Sequence, residues 1–194
     1  MSDVRRPDDG DPIGPLLRAH RPAESFEAAD LVRVRELVET EADPWARSLP
    51  LHLTASALVV HPPTRRVLLR WHTRHKAWMH VGGHGDPGET EPLDVALREA
   101  REETSLDDLR PWPDRSLLQV AVVPVPATPK EDAHEHADLR FVFATDEPDA
   151  AKPERPDAPV RWMSVAHARE LTAEPNVRRA LTLLEAVLHD VAGT

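Results

Sequence analysis

A glycine-rich turn followed by one amphipathic helix constrains the fold of this chain more than any other feature. Residues 82–106 read GGHGDPGETEPLDVALREAREETSL. Residues 86–89 form the turn, Thr90 is the predicted N-cap, and Pro92 stands in the first helical turn, where proline is tolerated. The helix then carries an apolar stripe with spacing i, i+3, i+4 and i+7, formed by Leu93, Ala96, Leu97 and Ala100. One face of this helix is therefore expected to pack on a core.

Three glutamates share another arc of the same helix. Glu99, Glu102 and Glu103 are spaced i, i+3, i+4, beside the apolar stripe. Left unpaired, these carboxylates repel one another, and a hard cation such as Mg²⁺ or Mn²⁺ removes that repulsion. Arg98 precedes Glu99 and stands four residues before Glu102, so it can orient a carboxylate. An ordinary solvated face is the alternative, and the glycine turn just before the helix favours the metal site.

The turn and the helix together resemble the motif of the Nudix (MutT-like) hydrolases. That motif runs Gly, five residues, Glu, seven residues, then Arg-Glu-aliphatic-x-Glu-Glu-x-Gly-aliphatic. The matching residues here are Gly83, Glu89, Arg98, Glu99, Ala100, Glu102, Glu103 and Leu106. Eight residues rather than seven separate Glu89 from Arg98, and Ser105 stands where the motif has glycine. The extra residue falls around positions 90–92, so it affects Glu89 more than the helix.

The resemblance implies an Mg²⁺-dependent enzyme, with Mn²⁺ as the alternative ion, that cleaves a phosphoanhydride bond. Its substrate would be a nucleoside diphosphate linked to another moiety. The implied metal ligands are Glu99, Glu102 and Glu103, and the implied catalytic residues are Glu102, Glu103 and Arg98. Glu89 would act on the metal directly or through water, and the motif backbone comprises Gly82 and Gly83. A Nudix domain that binds a nucleotide as a sensor, without cleaving it, is the alternative function.

The order of predicted elements indicates an α/β fold with helices on both sides of a mixed sheet. Strands are expected at residues 51–60, 67–71, 77–81, 117–125, 139–145 and 160–163, and helices at 25–41, 164–171 and 176–191. This order is similar to the Nudix α/β/α sandwich, so the resemblance covers residues 51–194. Residues 1–50 are predicted to be an N-terminal extension, partly disordered, with the single helix at 25–41.

Charge and composition limit the classes of partner that the chain is expected to bind. The chain has 24 basic and 34 acidic residues and a net charge of −10, with no Lys/Arg block, so no nucleic acid is expected. It has no cysteine, which excludes a thiolate metal site and a cysteine nucleophile. No apolar run has membrane-spanning length and the N-terminus lacks a signal-peptide core, which favours a cytoplasmic protein without a membrane partner. The expected partners are a small nucleotide or another diphosphate, with a homodimer left open.

A polar strand and a nearby lysine supply the candidate substrate-binding residues. His134, His136, Asp138 and Arg140 alternate along a predicted strand and so point to one face. Such a face can bind a metal or a phosphate, or can orient water; the alternative is an ordinary solvated side of the sheet. The segment, with HLTASA at 52–57 and GGH at 82–84, resembles one bacterial Nudix subgroup, which places it near the substrate. Lys76 is added because it can offset phosphate charge.

Two other functions compete with this interpretation. A histidine-based Zn²⁺ or Ni²⁺ site would use His134, His136 and either His80 or His84, because imidazole suits those ions better than Mg²⁺. A dinucleotide-binding turn is the other, since residues 83–88 have the spacing Gly-x-Gly-x-x-Gly. The carboxylates in that turn and on the following helix argue against it, because a pyrophosphate needs a positive helix terminus.

Overall fold

Two long strands run side by side through the centre of the sheet. β1 (Leu51–His61) and β7 (His134–Ala144) pair in parallel, with Leu51 opposite Glu135 and Val60 opposite Ala144. The second halves of both strands are buried, as expected for a parallel pair covered on both faces. In this computed structural model, residues 12–129 and 131–192 are described.

The remaining strands pair antiparallel around this centre, so the sheet is mixed. β2 and β4 flank β1, β5 and β6 flank β7, and β3 and β8 pair with β2. Their bounds are β2 (Arg66–His72), β3 (Ala77–Met79), β4 (Val81–Gly83), β5 (Arg110–Pro111), β6 (Gln119–Val125) and β8 (Val160–Ser164). The described residues thus form one sheet of eight strands.

Helices cover both faces of this sheet. The bounds are α1 (Ile13–Ala19), α2 (Ser25–Thr40), α3 (Pro92–Thr104), α4 (Val165–Leu171) and α5 (Pro175–Ala192). Alternate residues of β1 face opposite cores: Ala57 and Val59 belong to the core with α1, α2 and α3, whereas Leu58 and Val60 belong to the core with α4 and α5. The predicted α/β/α sandwich with a mixed sheet is therefore confirmed. None of the described helices is both long and apolar enough to cross a membrane.

The N-terminal extension is more ordered than predicted. Its described part contains two helices rather than one, and the additional helix α1 precedes the single helix predicted at 25–41. Ile13 and Leu17 are four residues apart, so both point from one side of α1 into the first core, where they are buried. The prediction of a single helix is wrong because two apolar residues suffice to anchor a short helix. Residues 1–11 lie outside the described part of the chain.

Carboxylates of α2 bind the backbone of β6. Glu27 accepts hydrogen bonds from the Val120 N–H at 3.0 Å and from His20 at 2.8 Å. Asp30 accepts one from the Val122 N–H at 3.0 Å. Burial alone would raise the pKa of Glu27, but the hydrogen bonds from His20, Ala23 and Val120 together lower it. Polar contacts as well as the shared core therefore hold the extension to the sheet.

Candidate active site

Arg98 is the centre of a carboxylate cluster on α3. Its Nε and Nη2 donate to the two oxygens of Glu89 at 3.0 and 2.9 Å. Its Nη1 donates to Glu99 at 3.0 Å and to Glu102 at 3.2 Å. Nη2 also donates to the carbonyl oxygen of His84 at 2.9 Å. One guanidinium therefore fixes the glycine turn and two helix glutamates relative to each other.

The two departures from the motif leave this cluster intact. Glu89 pairs with Arg98 and also accepts the Asp86 N–H at 2.8 Å. The hydrogen bonds from Arg98 lower the pKa of Glu89 despite its partial burial. The inserted residue is accommodated before α3, which starts at Pro92 with Glu91 rather than the predicted Thr90 at the N-cap position. The sequence alone could not decide whether Thr90 or Glu91 is the N-cap residue, because Glu91 makes no side-chain cap bond that would identify it.

Ser105 takes the backbone conformation that the motif's glycine would adopt. It ends α3 with a left-handed φ of 57°, and its N–H donates to the Arg101 carbonyl oxygen at 2.7 Å. A side chain in this region costs roughly 1–2 kcal/mol relative to glycine. The presence of serine rather than glycine at position 105 therefore affects stability at the helix terminus rather than the positions of the glutamates.

Glu103 faces away from Arg98, toward the sheet. Its Oε2 accepts the Gly82 N–H at 3.1 Å, and its Oε1 lies 2.9 Å from Arg70 Nη1. Only 12% of the Glu103 side chain and 11% of the Arg70 side chain are exposed, so the pair is largely buried. Burial raises the pKa of Glu103 to about 7, against the opposing charge of Arg70. Burial also raises the pKa of Glu99, although Arg98 opposes it. The three glutamates share one helical arc, but two different arginines hold them.

Gly82 and Gly83 let this arc approach the sheet closely. Gly82 has a φ of +146°, and a Cβ there would lie 2.6 Å from the backbone of Ser56. At Gly83, a Cβ would lie 2.7 Å from the carboxyl carbon of Glu99. The absence of both side chains therefore leaves space at the Glu99 carboxylate and permits the close contact of β4 with β1.

A polar cleft of about 260 Å³ lies on the sheet face beside these glycines. Both Gly82 and Gly83 line it, so it adjoins the backbone that contacts Glu99 and Glu103. Other lining residues are Ser56, Arg74, His80, His84, Arg140 and Asn176. His80 Nε2 is buried and, within the described part of the chain, has no hydrogen-bond partner. His80 therefore carries a polar atom that the described residues leave unpaired.

A buried ion pair forms one wall of the cleft. Arg140 Nε donates to Asp138 at 2.7 Å, and its Nη atoms donate to Gln119 at 2.9 Å and to the Asn176 side chain at 2.8 Å. Asp138 also accepts hydrogen bonds from the Ser56 and Thr54 hydroxyls. Burial alone would raise the pKa of Asp138, but Arg140 and its other partners lower it. This network is well satisfied and rigid, which suits a supporting wall.

Comparison with known protein families agrees with this arrangement of turn, helix and cleft. The model of the NUDIX domain matches residues 50–184. The chain belongs to the Nudix family. The prediction of a Nudix hydrolase is thereby confirmed for both the family and the fold. No curated protein matches the chain.

Solved structures share the Nudix fold. The Ap4A hydrolase of C. elegans in a binary complex is 17% identical with a TM-score of 0.56, covering 73% of this chain and 98% of the other. The Nudix hydrolase RenU of M. smegmatis is 22% identical with a TM-score of 0.53, covering 72% and 87%. The dihydroneopterin triphosphate pyrophosphohydrolase of E. coli is 18% identical with a TM-score of 0.52, covering 69% and 92%. At these identities the similarity establishes the fold alone.

The predicted substrate-binding residues of this Nudix domain occupy three different places. His134 and His136 join a histidine cluster with His84, whereas Asp138 and Arg140 form the buried ion pair described above. These two residues line the cleft and are buried, so the alternative of a solvated sheet face is wrong for them. The predicted position of Lys76 near the substrate is not supported. It is exposed in the turn between β2 and β3, with a left-handed φ of 51°, and lies outside the lining of the cleft.

The sequence interpretation missed a functional candidate on β1. His52 lies opposite His136 in the parallel register, and its ring is 5.2 Å from that of His84. In the same register Thr54 is opposite Asp138. The signal was the polar alternation His-x-Thr-x-Ser at positions 52–56 within an otherwise apolar strand. Burial, followed by the charges of neighbouring groups, lowers the pKa of His84 to about 3 and that of His136 to about 4.

Proposed function

We propose that this Nudix protein hydrolyses, with Mg²⁺, the pyrophosphate linkage of a nucleoside diphosphate joined to another moiety. One observation carries the proposal: Arg98 holds a carboxylate cluster next to Gly83, whose backbone lines a polar cleft. The cluster supplies oxygen ligands and the adjoining cleft supplies room for a substrate. The cleft also contains Arg74, whose positive charge favours a phosphorylated ligand.

The residues fit a hard divalent cation. We assign Glu99, Glu102 and Glu103 as its ligands, with Glu89 as a further ligand through water. The space that a Cβ at Gly83 would fill lies against the Glu99 carboxylate, and carboxylate oxygens are the donors that Mg²⁺ and Mn²⁺ prefer. When bound, the ion neutralises phosphate charge and lowers the pKa of a bound water.

The protein side chains then have separate tasks. Arg98 is a positioning residue, because it holds Glu89, Glu99 and Glu102 through hydrogen bonds from Nε, Nη1 and Nη2. Glu102 and Glu103 are the proposed catalytic carboxylates, one of which accepts the proton of the attacking water. Glu103 is fixed by the Gly82 N–H, which lies on the wall of the cleft.

The lining of the cleft supports the proposed substrate class. Asn176 offers a polar group, and Arg74, which also pairs with the exposed Glu131, offers positive charge, in a cleft of about 260 Å³. Proteins of the same fold include an Ap4A hydrolase and a dihydroneopterin triphosphate pyrophosphohydrolase, both named for phosphorylated substrates. A nucleotide or another diphosphate is therefore the proposed ligand. Cytoplasmic location and a homodimer stay predictions.

The test is a substrate panel with the purified chain. It comprises nucleoside triphosphates, oxidised dGTP, ADP-ribose, NADH, dinucleoside polyphosphates and nucleotide sugars, each with and without Mg²⁺. We expect at least one compound to release nucleotide or phosphate only with the ion, and the Glu99→Gln/Glu102→Gln double variant to release none. Release at the same rate by the double variant, or no metal-dependent release from any compound, would contradict the proposal.

One observation favours a nucleotide sensor as the second candidate. All three helix glutamates already have arginine partners, Arg98 for Glu99 and Glu102, and Arg70 for Glu103. The arc is therefore compensated without a cation. Thermal shift with each nucleotide and Mg²⁺, followed by chromatography of the same sample, distinguishes the two candidates. Stabilisation by a ligand that stays intact indicates the sensor, whereas products indicate the hydrolase.

A further inference from the structure

Four histidines from three separate segments converge at one end of the cleft. His52 comes from β1, His84 follows β4, and His134 and His136 come from β7. The ring centroids of His52 and His136 are 5.1 Å apart, and those of His84 and His136 are 4.8 Å apart. One ring nitrogen from each of His52, His84 and His136 lies within 4.8 Å of the others. These three ring nitrogens are close enough to one another to be candidate ligands of a single metal ion.

Within two pairs of these histidines, the ring nitrogens have the spacing expected for two ligands of one metal ion. His52 Nε2 lies 3.1 Å from His84 Nε2, and His134 Nε2 lies 3.3 Å from His136 Nε2. Two nitrogens bound to one tetrahedral Zn²⁺, each about 2.0–2.1 Å from the ion, are roughly 3.3 Å apart. His52 and His84 are therefore already spaced to bind a common ion, and the His136 nitrogen, within 4.8 Å of both, has to move closer to join them.

Hydrogen bonds to the backbone orient two of these rings. His52 Nδ1 lies 3.0 Å from the Leu49 carbonyl oxygen, and His134 Nδ1 lies 2.9 Å from the Asp132 carbonyl oxygen. A carbonyl oxygen only accepts, so Nδ1 carries the proton in both rings and the neutral ring leaves its lone pair on Nε2. Histidines that bind metals typically donate their other N–H in this way. Both lone pairs point to another histidine of the cluster.

We propose that His52, His84 and His136 form a site for a divalent transition-metal ion of the Zn²⁺ class, with His134 beside it. The ligands are all imidazole nitrogens, which suit Zn²⁺ or Ni²⁺ rather than Mg²⁺. The site is therefore chemically distinct from the carboxylate cluster of α3. His80, considered as a ligand from the sequence, is not part of the converging group. The proposal goes beyond the hydrolysis proposed above and does not depend on it.

The position of the site indicates what the ion would bind. His84 and His136 line the cleft, so an ion held between them lies on its wall. Three histidines leave one position of a tetrahedral ion open, as in catalytic zinc sites. An anionic group of a ligand in the cleft can occupy that position.

The experiment measures metal binding by the untagged full chain after treatment with a chelator. We expect about one equivalent of Zn²⁺ in competition with a chromophoric chelator, and visible absorption of the four-coordinate type with Co²⁺. The His84→Gln variant and the His84→Gln/His136→Gln variant should bind Zn²⁺ at least about a hundredfold more weakly, because a ligand change exceeds the 10–100-fold effect of an outer-shell partner. Melting temperatures without metal report whether each variant is folded.

Two matched variants give the test its specificity. His72→Gln/His75→Gln removes another close histidine pair of the cleft, with ring centroids 4.6 Å apart, and should retain the Zn²⁺ affinity. Glu99→Gln/Glu102→Gln should also retain it, even where turnover is lost, so failure of this site and failure of the proposed hydrolysis are distinguishable. The proposal is overturned if the parent chain binds no stoichiometric Zn²⁺ or Co²⁺. It is equally overturned if the folded His84→Gln variant binds as the parent does, or if the glutamate variant loses the ion.

Discussion

Arg98 and Glu89 form a two-bond ion pair across the segment that contains the extra residue of the Nudix motif. Nε and Nη2 of Arg98 reach Oε1 and Oε2 of Glu89 at 3.0 and 2.9 Å. The same guanidinium holds Glu99 and Glu102. Glu89 therefore acts on the helix cluster through Arg98, whatever the spacing of the motif.

Glu89→Gln tests this connection. Loss of the charge weakens the bonds that fix Arg98, and changes in residues that support metal ligands typically lower activity about 10–100-fold. We expect a fall in kcat/KM of that order, with a loss of stability of about 1 kcal/mol because the pair is partly exposed. The measurements are Mg²⁺-dependent turnover and Tm. Glu91→Gln, exposed and without a side-chain cap bond, should match the parent in both; equal losses in the two variants would contradict the role of Glu89.

Glu102→Gln tests the metal ligand that is most exposed. The substitution keeps size and helix propensity but removes a charged oxygen, so turnover should fall by roughly a hundredfold or more. Stability without Mg²⁺ should change by less than about 0.5 kcal/mol, because a solvent-exposed pair with Arg98 is lost while repulsion within the arc is relieved. Activity assays and melting curves with and without Mg²⁺ measure both effects. Full turnover with the parent's Mg²⁺-induced stabilisation would mean that the carboxylate is only solvated charge.

Gly83→Ala tests the space beside Glu99. The new Cβ would lie 2.7 Å from the Glu99 carboxyl carbon, so this side chain has to rotate away. Because the obstacle is the end of a flexible side chain, we expect the fold to survive with a Tm change of a few degrees. Mg²⁺ affinity, measured by activation of turnover, should weaken at least about tenfold. An unchanged Mg²⁺ dependence would show that Glu99 does not need this position.

Glu27→Gln tests the attachment of α2 to β6. Glu27 is buried and accepts from Val120 and His20, so the variant should lose about 1–3 kcal/mol of unfolding free energy at pH 7. The pKa of Glu27 is lowered in the folded chain from its ordinary value of 4.5. Its contribution is therefore present above pH 4.5 and lost as the pH falls through the lower folded pKa.

Urea unfolding of the parent and Glu27→Gln between pH 3 and 8 measures this dependence. The difference between them should be constant above about pH 5 and shrink below pH 4.5. Exposed Glu24 provides the control, since Glu24→Gln should follow the parent at each pH. A difference that persists unchanged in acid would mean that the charge of Glu27 is not the stabilising feature.

The sequence predicted the elements whose pattern repeats along one face. For α3, the start was predicted within two residues of the observed Pro92, from the apolar stripe, the proline in the first turn and the glutamates. Arg98 was expected to orient one carboxylate and instead holds three, because the turn folds back so that Glu89 lies beside the helix. This convergence depends on the path of the loop that precedes α3, and the spacing of residues along the helix does not specify that path.

The less predictable features depend on contacts between distant segments. β7 begins at His134 rather than at the predicted Leu139. Its first residues are polar and so lack the apolar pattern of a buried strand, but pairing with β1 holds them in the sheet. Asp138 and Arg140 were assigned to one face, correctly, but their burial involves contacts with residues far away in the sequence, such as Ser56 and Asn176. His52 was overlooked because its partners are 32 and 84 residues away, and only the parallel register brings them together.

The carboxylates of α2 also determine how the sheet can meet other molecules. Val120 and Val122 donate outward from β6 to Glu27 and Asp30, and by alternation the next outward position is Pro124, which has no N–H. An edge strand normally offers a row of amides to a strand from another chain. Along the described β6, the outward N–H groups of Val120 and Val122 are already bound, and Pro124 has no N–H group to offer. This edge is therefore protected against extension of the sheet by a second copy of the chain, so the homodimer left open by the sequence would need another surface.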